Sequence, residues 1–299
     1  MVALRRLLGW RAREVISAYL CISPWLIGFF AFLLFPLIYS IRLSFMEWNF
    51  MHSEWVGLGN YIRILTADRE FWGSLNSTAY FSLISIPITV IFALLLAVLV
   101  NQRVPGIQLF RAIYFLPVIA ASGVVAARIG PYVFEQGLDI QINYAVLGLD
   151  ISGRLQETLD FFITLTMLGL WRVGIQMLIF LAGLQGISTT YYEAAEIDGA
   201  SFWQKFWSIT LPLLSPIILL NVILTIVESF TGVFTIANVL TRGRDSLFFM
   251  DYIDFRAFNR FELGYASALS WILFILVMGI ILGIFRLSRH YVFYAGERS

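Results

Sequence analysis

The fold the sequence predicts is an all-α, polytopic membrane protein of about six transmembrane helices, and three observations predict it. Hydrophobic residues make up 60% of the 299-residue chain and charged residues 13%, where a soluble domain carries about 25% charged residues to cover its surface. The apolar residues are gathered into runs long enough to cross a hydrocarbon layer about 30 Å thick, for which about 20 residues suffice. The runs are continuous and do not alternate, so a barrel is a poor fit and helix is the form that satisfies its own backbone in lipid.

Arg5, Arg6, Arg11 and Arg13 precede an apolar stretch over 15–45. That stretch is far longer than a signal h-region of roughly 7 to 15 residues, so it is expected to be a retained first span. Residues 46–76 hold Trp48, Trp55, Tyr61 and Trp72 and read as an interfacial segment, because amphipathic rings settle at headgroup level. Further spans are expected at 77–100, 110–133, 161–185, 209–239 and 263–288. Prolines at 24, 36, 87, 117, 212 and 216 fall within or at the ends of these runs, where neighbouring helices can re-satisfy the freed carbonyls. No linker, low-complexity tract or internal repeat interrupts the chain, so residues 1–299 are expected to be a single transmembrane domain. With both termini cytoplasmic, the inside segments are the arginine-rich start, the turn with Arg103 and Arg111, the stretch near 187–208, and the tail with Arg286, Arg289 and Arg298. The positive-inside bias supports this topology mildly.

Several functions are excluded by composition. A net charge of +1 gives no basic footprint for nucleic acid. Cys21 is the single cysteine and lies in an apolar run, while His52 and His290 sit at opposite ends of the chain. No metal cluster, nucleophile–base pair or paired-carboxylate site can be built from these, and no GxxxxGK[ST] phosphate loop occurs. An enzyme is therefore not expected.

Between the fourth and fifth spans runs GISTTYYEAAEIDGASFWQKFWSITLPLLSP, residues 186–216. Thr190 followed by Glu193 is a capping-box pattern, so a short helix is expected to begin there. Glu193, Ala194, Ala195, Glu196 and Ile197 continue it, and Gly199 is placed to end it in a left-handed C′ position. A second amphipathic turn, Phe202 to Trp207, is expected to lie along the membrane face before Pro212 begins the next span. Taken alone this is a capped surface hairpin. The particular order YYEAAEIDGAS, then FWQKFWSITLPLLSP, resembles the cytoplasmic EAA loop of binding-protein-dependent ABC importer permeases. Arg111-Ala-Ile-Tyr-Phe-Leu-Pro117 and Leu263-Gly-Tyr-Ala-Ser-Ala-Leu-Ser270 resemble the starts of the third and last spans in sugar permeases, and Arg289 to Tyr294 resembles the end of the maltose-transporter first-permease class.

The resemblance implies a type I ABC importer permease fold in a bacterial inner membrane. It implies a carbohydrate, an oligosaccharide first, as the cargo, with polyuronates and glycerol phosphates as competitors. The implied partners are a second, different permease, two ATPase subunits that bind the ATP and Mg, and a periplasmic or lipid-anchored solute-binding protein; no cofactor is expected in this chain. In such permeases the EAA loop docks on the ATPase, which assigns that role here to Glu193, Ala194, Ala195, Asp198, Gly199 and Ala200. An ion-coupled secondary transporter or channel subunit is the alternative, and it predicts paired half-sequences or an intramembrane acid–base chain.

Ionisable residues inside spans mark function or helix pairing. Glu228 is the clearest, with Arg172 and Arg128 elsewhere, and pairing of an arginine with Glu228 for packing stands beside a role in the pathway. Around Glu228 lie Asn221, Ser229, Phe230, Thr231, Phe234 and Asn238, which mix rings with amide and hydroxyl chemistry suited to sugars. Trp171 and Gln176 on the fourth span complete the candidate pathway, although an aromatic stripe at helical spacing equally suits a core or lipid-facing surface.

Overall fold

The structure is a computed structural model and describes residues 10–49, 53–101, 173–231 and 248–289. Four helices among these residues are long and apolar enough to cross a membrane: Glu14–Ser44, Arg69–Asn101, Phe202–Thr231 and Leu263–Ser288. The last matches the expected span at both ends. The expected third span (110–133), the start of the fourth, and residues 232–239 of the fifth lie outside the described residues, as does most of the 289–294 tail.

The chain forms two compact units, the first comprising residues 1–67 and 253–273. Its first span consists of α1 (Trp10–Gly28), a π turn (Phe29–Leu34) and α2 (Phe35–Ser44). Pro36 falls in the opening turn of α2, where its missing N–H costs least. The segment after this span, expected to be interfacial, folds into a hairpin and a short helix. Strands β1 (Met46–Trp48) and β2 (Ser53–Trp55) pair antiparallel with Met46 opposite Trp55, and α3 (Gly59–Thr66) follows. The cause is Asn60, whose Nδ2 donates to the Ser44 and Met46 carbonyls at 3.0 Å each, while the Tyr61 hydroxyl donates to Ser44 Oγ at 2.7 Å. These long-range bonds have no periodic signature in sequence. In the same unit the Tyr265 ring lies between the Arg63 and Arg256 guanidinium groups, 4.9 and 5.0 Å from its centroid, and Arg256 pairs with Glu262 at 2.8 Å. Gly264 packs directly on the hairpin: a Cβ there would stand 1.9 Å from the Met46 carbonyl oxygen.

The second unit comprises residues 68–252 and 274–299. Its longest helix, α4 (Arg69–Asn101), has 33 residues and so spans about 50 Å. It begins eight residues before the apolar run because Asp68 caps it, accepting from the Phe71 amide at 3.1 Å; the Tyr252 hydroxyl donates to the same carboxylate. Helices α5 (Gly174–Gln185), α6 (Thr189–Ile197), α7 (Phe202–Lys205) and α8 (Leu211–Thr231) follow, with a π turn at Phe206–Thr210 between the last two. Ala93, Ala97 and Val100 of α4 pack with Met177, Phe180 and Leu184 of α5 and Leu214 of α8. Lipid supplies no hydrophobic drive between such helices, so close fit decides. Gly183 provides it on α5, since a Cβ there would come within 2.9 Å of Ile217. At the other end of α4, where α9 (Phe249–Asp254) begins, the Phe249 amide donates to Thr78 Oγ1 at 2.9 Å and its ring meets Phe71 edge-on. The final helix, α10, is Leu263–Ser288.

Candidate functional site

Helix α6 begins at Thr189, one residue ahead of the expected cap. Ser188 is the N-cap: its backbone is extended (φ −62°, ψ 133°) and its hydroxyl accepts from the Thr190 amide at 3.4 Å. Thr190 already lies inside the helix and cannot cap it, and its own hydroxyl bonds Ser188 Oγ at 2.8 Å. The reciprocal capping box forms one helix later, where Gln204 Oε1 accepts from the Ser201 amide at 2.7 Å and Ser201 Oγ accepts from the Gln204 amide. That cap starts a helix that runs unbroken from Phe202 to Thr231, so the expected separate turn at Phe202–Trp207 is the first part of the fifth span itself.

The end of α6 is as the sequence predicts. Gly199 has φ +73°, its amide donates to the Glu196 carbonyl at 3.0 Å, and the Ala200 amide donates to the Ala195 carbonyl at 2.8 Å. These two bonds are the complete Schellman closure, which needs a left-handed residue at C′. Glu193, Ala194, Asp198 and Gly199 are exposed, and Ala195 and Ala200 half-buried. Ile197 is 87% exposed. A rigid nine-residue helix therefore presents carboxylates, small residues and one bare aliphatic side chain, with none of its residues buried.

The second candidate region lies inside the bundle. Asn221, Thr225, Glu228 and Ser229 recur at i, i+4, i+7 and i+8 on α8, and all but half-buried Glu228 are buried. On α4, Ser74, Thr78, Ser82 and Ser85 form a matching buried stripe. The stripes meet where Ser82 and Ser229 hydroxyls hydrogen-bond. From α5, Gln176 Nε2 donates to Glu228 Oε2 at 2.7 Å. Gln176 is 4% exposed and Asn221 fully buried, yet Gln176 Oε1 and Asn221 Oδ1 have no hydrogen-bond partner among the described residues. Two buried acceptors are thus placed to receive a donor, since leaving each unmet costs about 1–3 kcal/mol.

The structure thus joins Gln176 to Glu228 and sets Asn221 on the same face of α8. Phe230 is buried too, but nine residues beyond Asn221 it falls on the opposite side of the helix. Trp171, Arg172, Phe234 and Asn238 lie outside the described residues, as does Arg128. The serine and threonine stripe of α4 was missed from sequence, although its spacing of four, four and three was a readable signal. No group of three metal-ligating side chains occurs among the described residues.

Fold and site together define a polytopic membrane protein with a polar seam between its spans and a capped, exposed helix between two of them. The chain belongs to the family of binding-protein-dependent transport system inner membrane components, whose pattern matches residues 56–290. It is 35% identical over 296 residues to the probable ABC transporter permease protein YesP of Bacillus subtilis (strain 168), covering 96% of this chain and 95% of that one. It is 34% identical over 284 residues to the trehalose/maltose transport system permease protein MalF of Thermococcus litoralis, covering 93% and 95%. Its fold superposes with TM-score 0.76 on a chain of a bacterial ABC transporter involved in the import of the acidic polysaccharide alginate, at 20% identity and covering 93% and 96%. The chain is thus a multi-pass membrane permease of the type I importer fold, and the ion-coupled alternative finds no support.

Proposed function

We propose that this chain is one of two different permease subunits of an ATP-driven importer, and that its cargo is a carbohydrate, an oligosaccharide in the first instance. A binding protein outside the membrane delivers the solute; two separate ATPase subunits hold the ATP and Mg, and the chain's termini lie on their side, in the cytoplasm. The observation that carries this reading is α6, a short helix fixed at both ends and buried nowhere, which is the form a docking element needs. Ala194, Ala195 and Ala200 allow close approach, Glu193 offers a carboxylate to a basic or amide wall, and Ile197 offers an apolar contact. Closure of the ATPase pair draws on this helix and turns the bundle. The Gln176 and Asn221 acceptors that meet no donor among the described residues, together with Glu228, suit a solute rich in hydroxyl donors, and the trehalose/maltose relative supports a sugar.

Two measurements test it. An ATPase subunit and a second permease are expected to co-purify with this chain in detergent, and Glu193→Lys is expected to abolish ATP-coupled uptake while membrane insertion stays normal. Full uptake by that variant refutes the docking role. A sugar panel titrated onto the cognate external binding protein should return an oligosaccharide ligand; binding of only non-sugar solutes refutes the cargo.

A further inference from the structure

Helix α6 is tied to the span that follows it at two points. Tyr192 and Glu196, four residues apart, share one face of the helix. The Tyr192 hydroxyl lies 2.9 Å from Thr210 Oγ1, and Glu196 Oε1 accepts from Lys205 Nζ at 2.7 Å. Lys205 and Thr210 bracket the π turn Phe206–Thr210. Thr210 Oγ1 also lies 3.4 Å from the Lys205 carbonyl across that turn, to which it can donate while accepting from Tyr192. The circuit closes on itself: Tyr192 to Thr210, Thr210 to Lys205, Lys205 to Glu196. Between its two arms the chain has little freedom, because the Schellman closure at Gly199 is followed within two residues by the Ser201–Gln204 capping box.

Beyond the π turn the same helix continues to Thr231 and carries Asn221 and Glu228. Pro216 cannot donate to the Pro212 carbonyl, and Ser215 Oγ supplies that bond at 2.7 Å, so the helix continues through its proline. From Lys205 to Glu228 is 23 residues, about 35 Å of helix.

We propose that Tyr192, Glu196, Lys205 and Thr210 form a clasp that makes α6 and the following span one rigid body, so that load on α6 reaches Asn221 and Glu228 without slack. These four are positioning residues. The inference rests on the docking role given to α6 above. Glu196 is exposed, so its pair with Lys205 adds little by itself, and the part-buried Tyr192–Thr210 contact carries most of the clasp.

The test uses the full chain assembled with its ATPase subunits, Cys21 replaced by serine, and spin labels at Ile197→Cys and Val227→Cys. The two sites are about 40 Å apart along the hairpin arm and helix. With the clasp intact, the distance distribution is expected to be narrow and equal with and without ATP plus vanadate. In Tyr192→Phe combined with Glu196→Gln it is expected to broaden and to shift with nucleotide; in unlabelled protein, with Ile197 and Val227 intact, the same double variant is expected to lower uptake per ATP hydrolysed by about fivefold or more. Exchanging the charges, Glu196→Lys with Lys205→Glu on an intact Tyr192, is expected to keep the distribution narrow. A wild-type distance that shifts with nucleotide, or a double variant as narrow as wild type, overturns the clasp. The docking role is read separately: the label at 197 loses mobility when the ATPase subunit binds, and a label that stays mobile overturns that role and the clasp with it.

Discussion

Replacing Gly199 with alanine tests the closure of the short helix directly. At Gly199 the backbone has φ +73°, and a Cβ added there meets nothing within 4 Å. Packing is therefore indifferent to the substitution and only the backbone conformation resists it. A left-handed residue with a Cβ costs about 1–2 kcal/mol, a factor of about 5–30 in the population of the closed turn. The amides of residues 199 and 200 donate the two closing bonds, so hydrogen exchange measured on the 189–205 segment reads this population. Exchange is expected to speed up about 5–30-fold in Gly199→Ala, while segments within α4 and α8 exchange as before. Gly199→Asn is expected to fall between alanine and wild type, because asparagine tolerates the left-handed region. Unchanged exchange in the alanine variant, or an asparagine variant faster than alanine, would refute the reasoning.

Gly264→Ala places a methyl group 1.9 Å from the Met46 carbonyl oxygen, so it is expected to lose about 1–3 kcal/mol through overpacking, seen as a lower melting temperature in detergent. Gly279→Ala, where a Cβ meets nothing within 4 Å, is the control and should not lower it. Asn221→Leu keeps the branching at Cγ at a fully buried position but removes the amide. Uptake is expected to fall about tenfold or more, the equivalent of one lost polar contact, with subunit co-purification intact; normal uptake would take Asn221 out of the pathway.

The physical reason for what the sequence could show is local. A run such as 263–288 declares a span by composition alone, because lipid admits only a segment that satisfies its own backbone, and its bounds were read correctly. Gly199 declares a helix end because it follows the helix-forming run Glu193–Ile197, and the closure is wholly local. The N-cap was misplaced by two residues among Ser188, Thr189 and Thr190, three neighbouring hydroxyl residues that backbone conformation alone separates. Likewise the start of the fifth span was hidden by Pro212, which read as a boundary but sits inside a helix that begins at Phe202.

Composition and the EAA string thus determined a membrane permease of several spans with a short helix closed at Gly199, since both signals are carried by neighbouring residues. Tertiary structure alone decided which polar side chains meet. Gln176 finds Glu228 across 52 positions and Ser82 finds Ser229 across 147, while Asn60 folds the hairpin before it. Such contacts depend on how separate helices and turns pack, and neither the order of residues nor their periodicity records that.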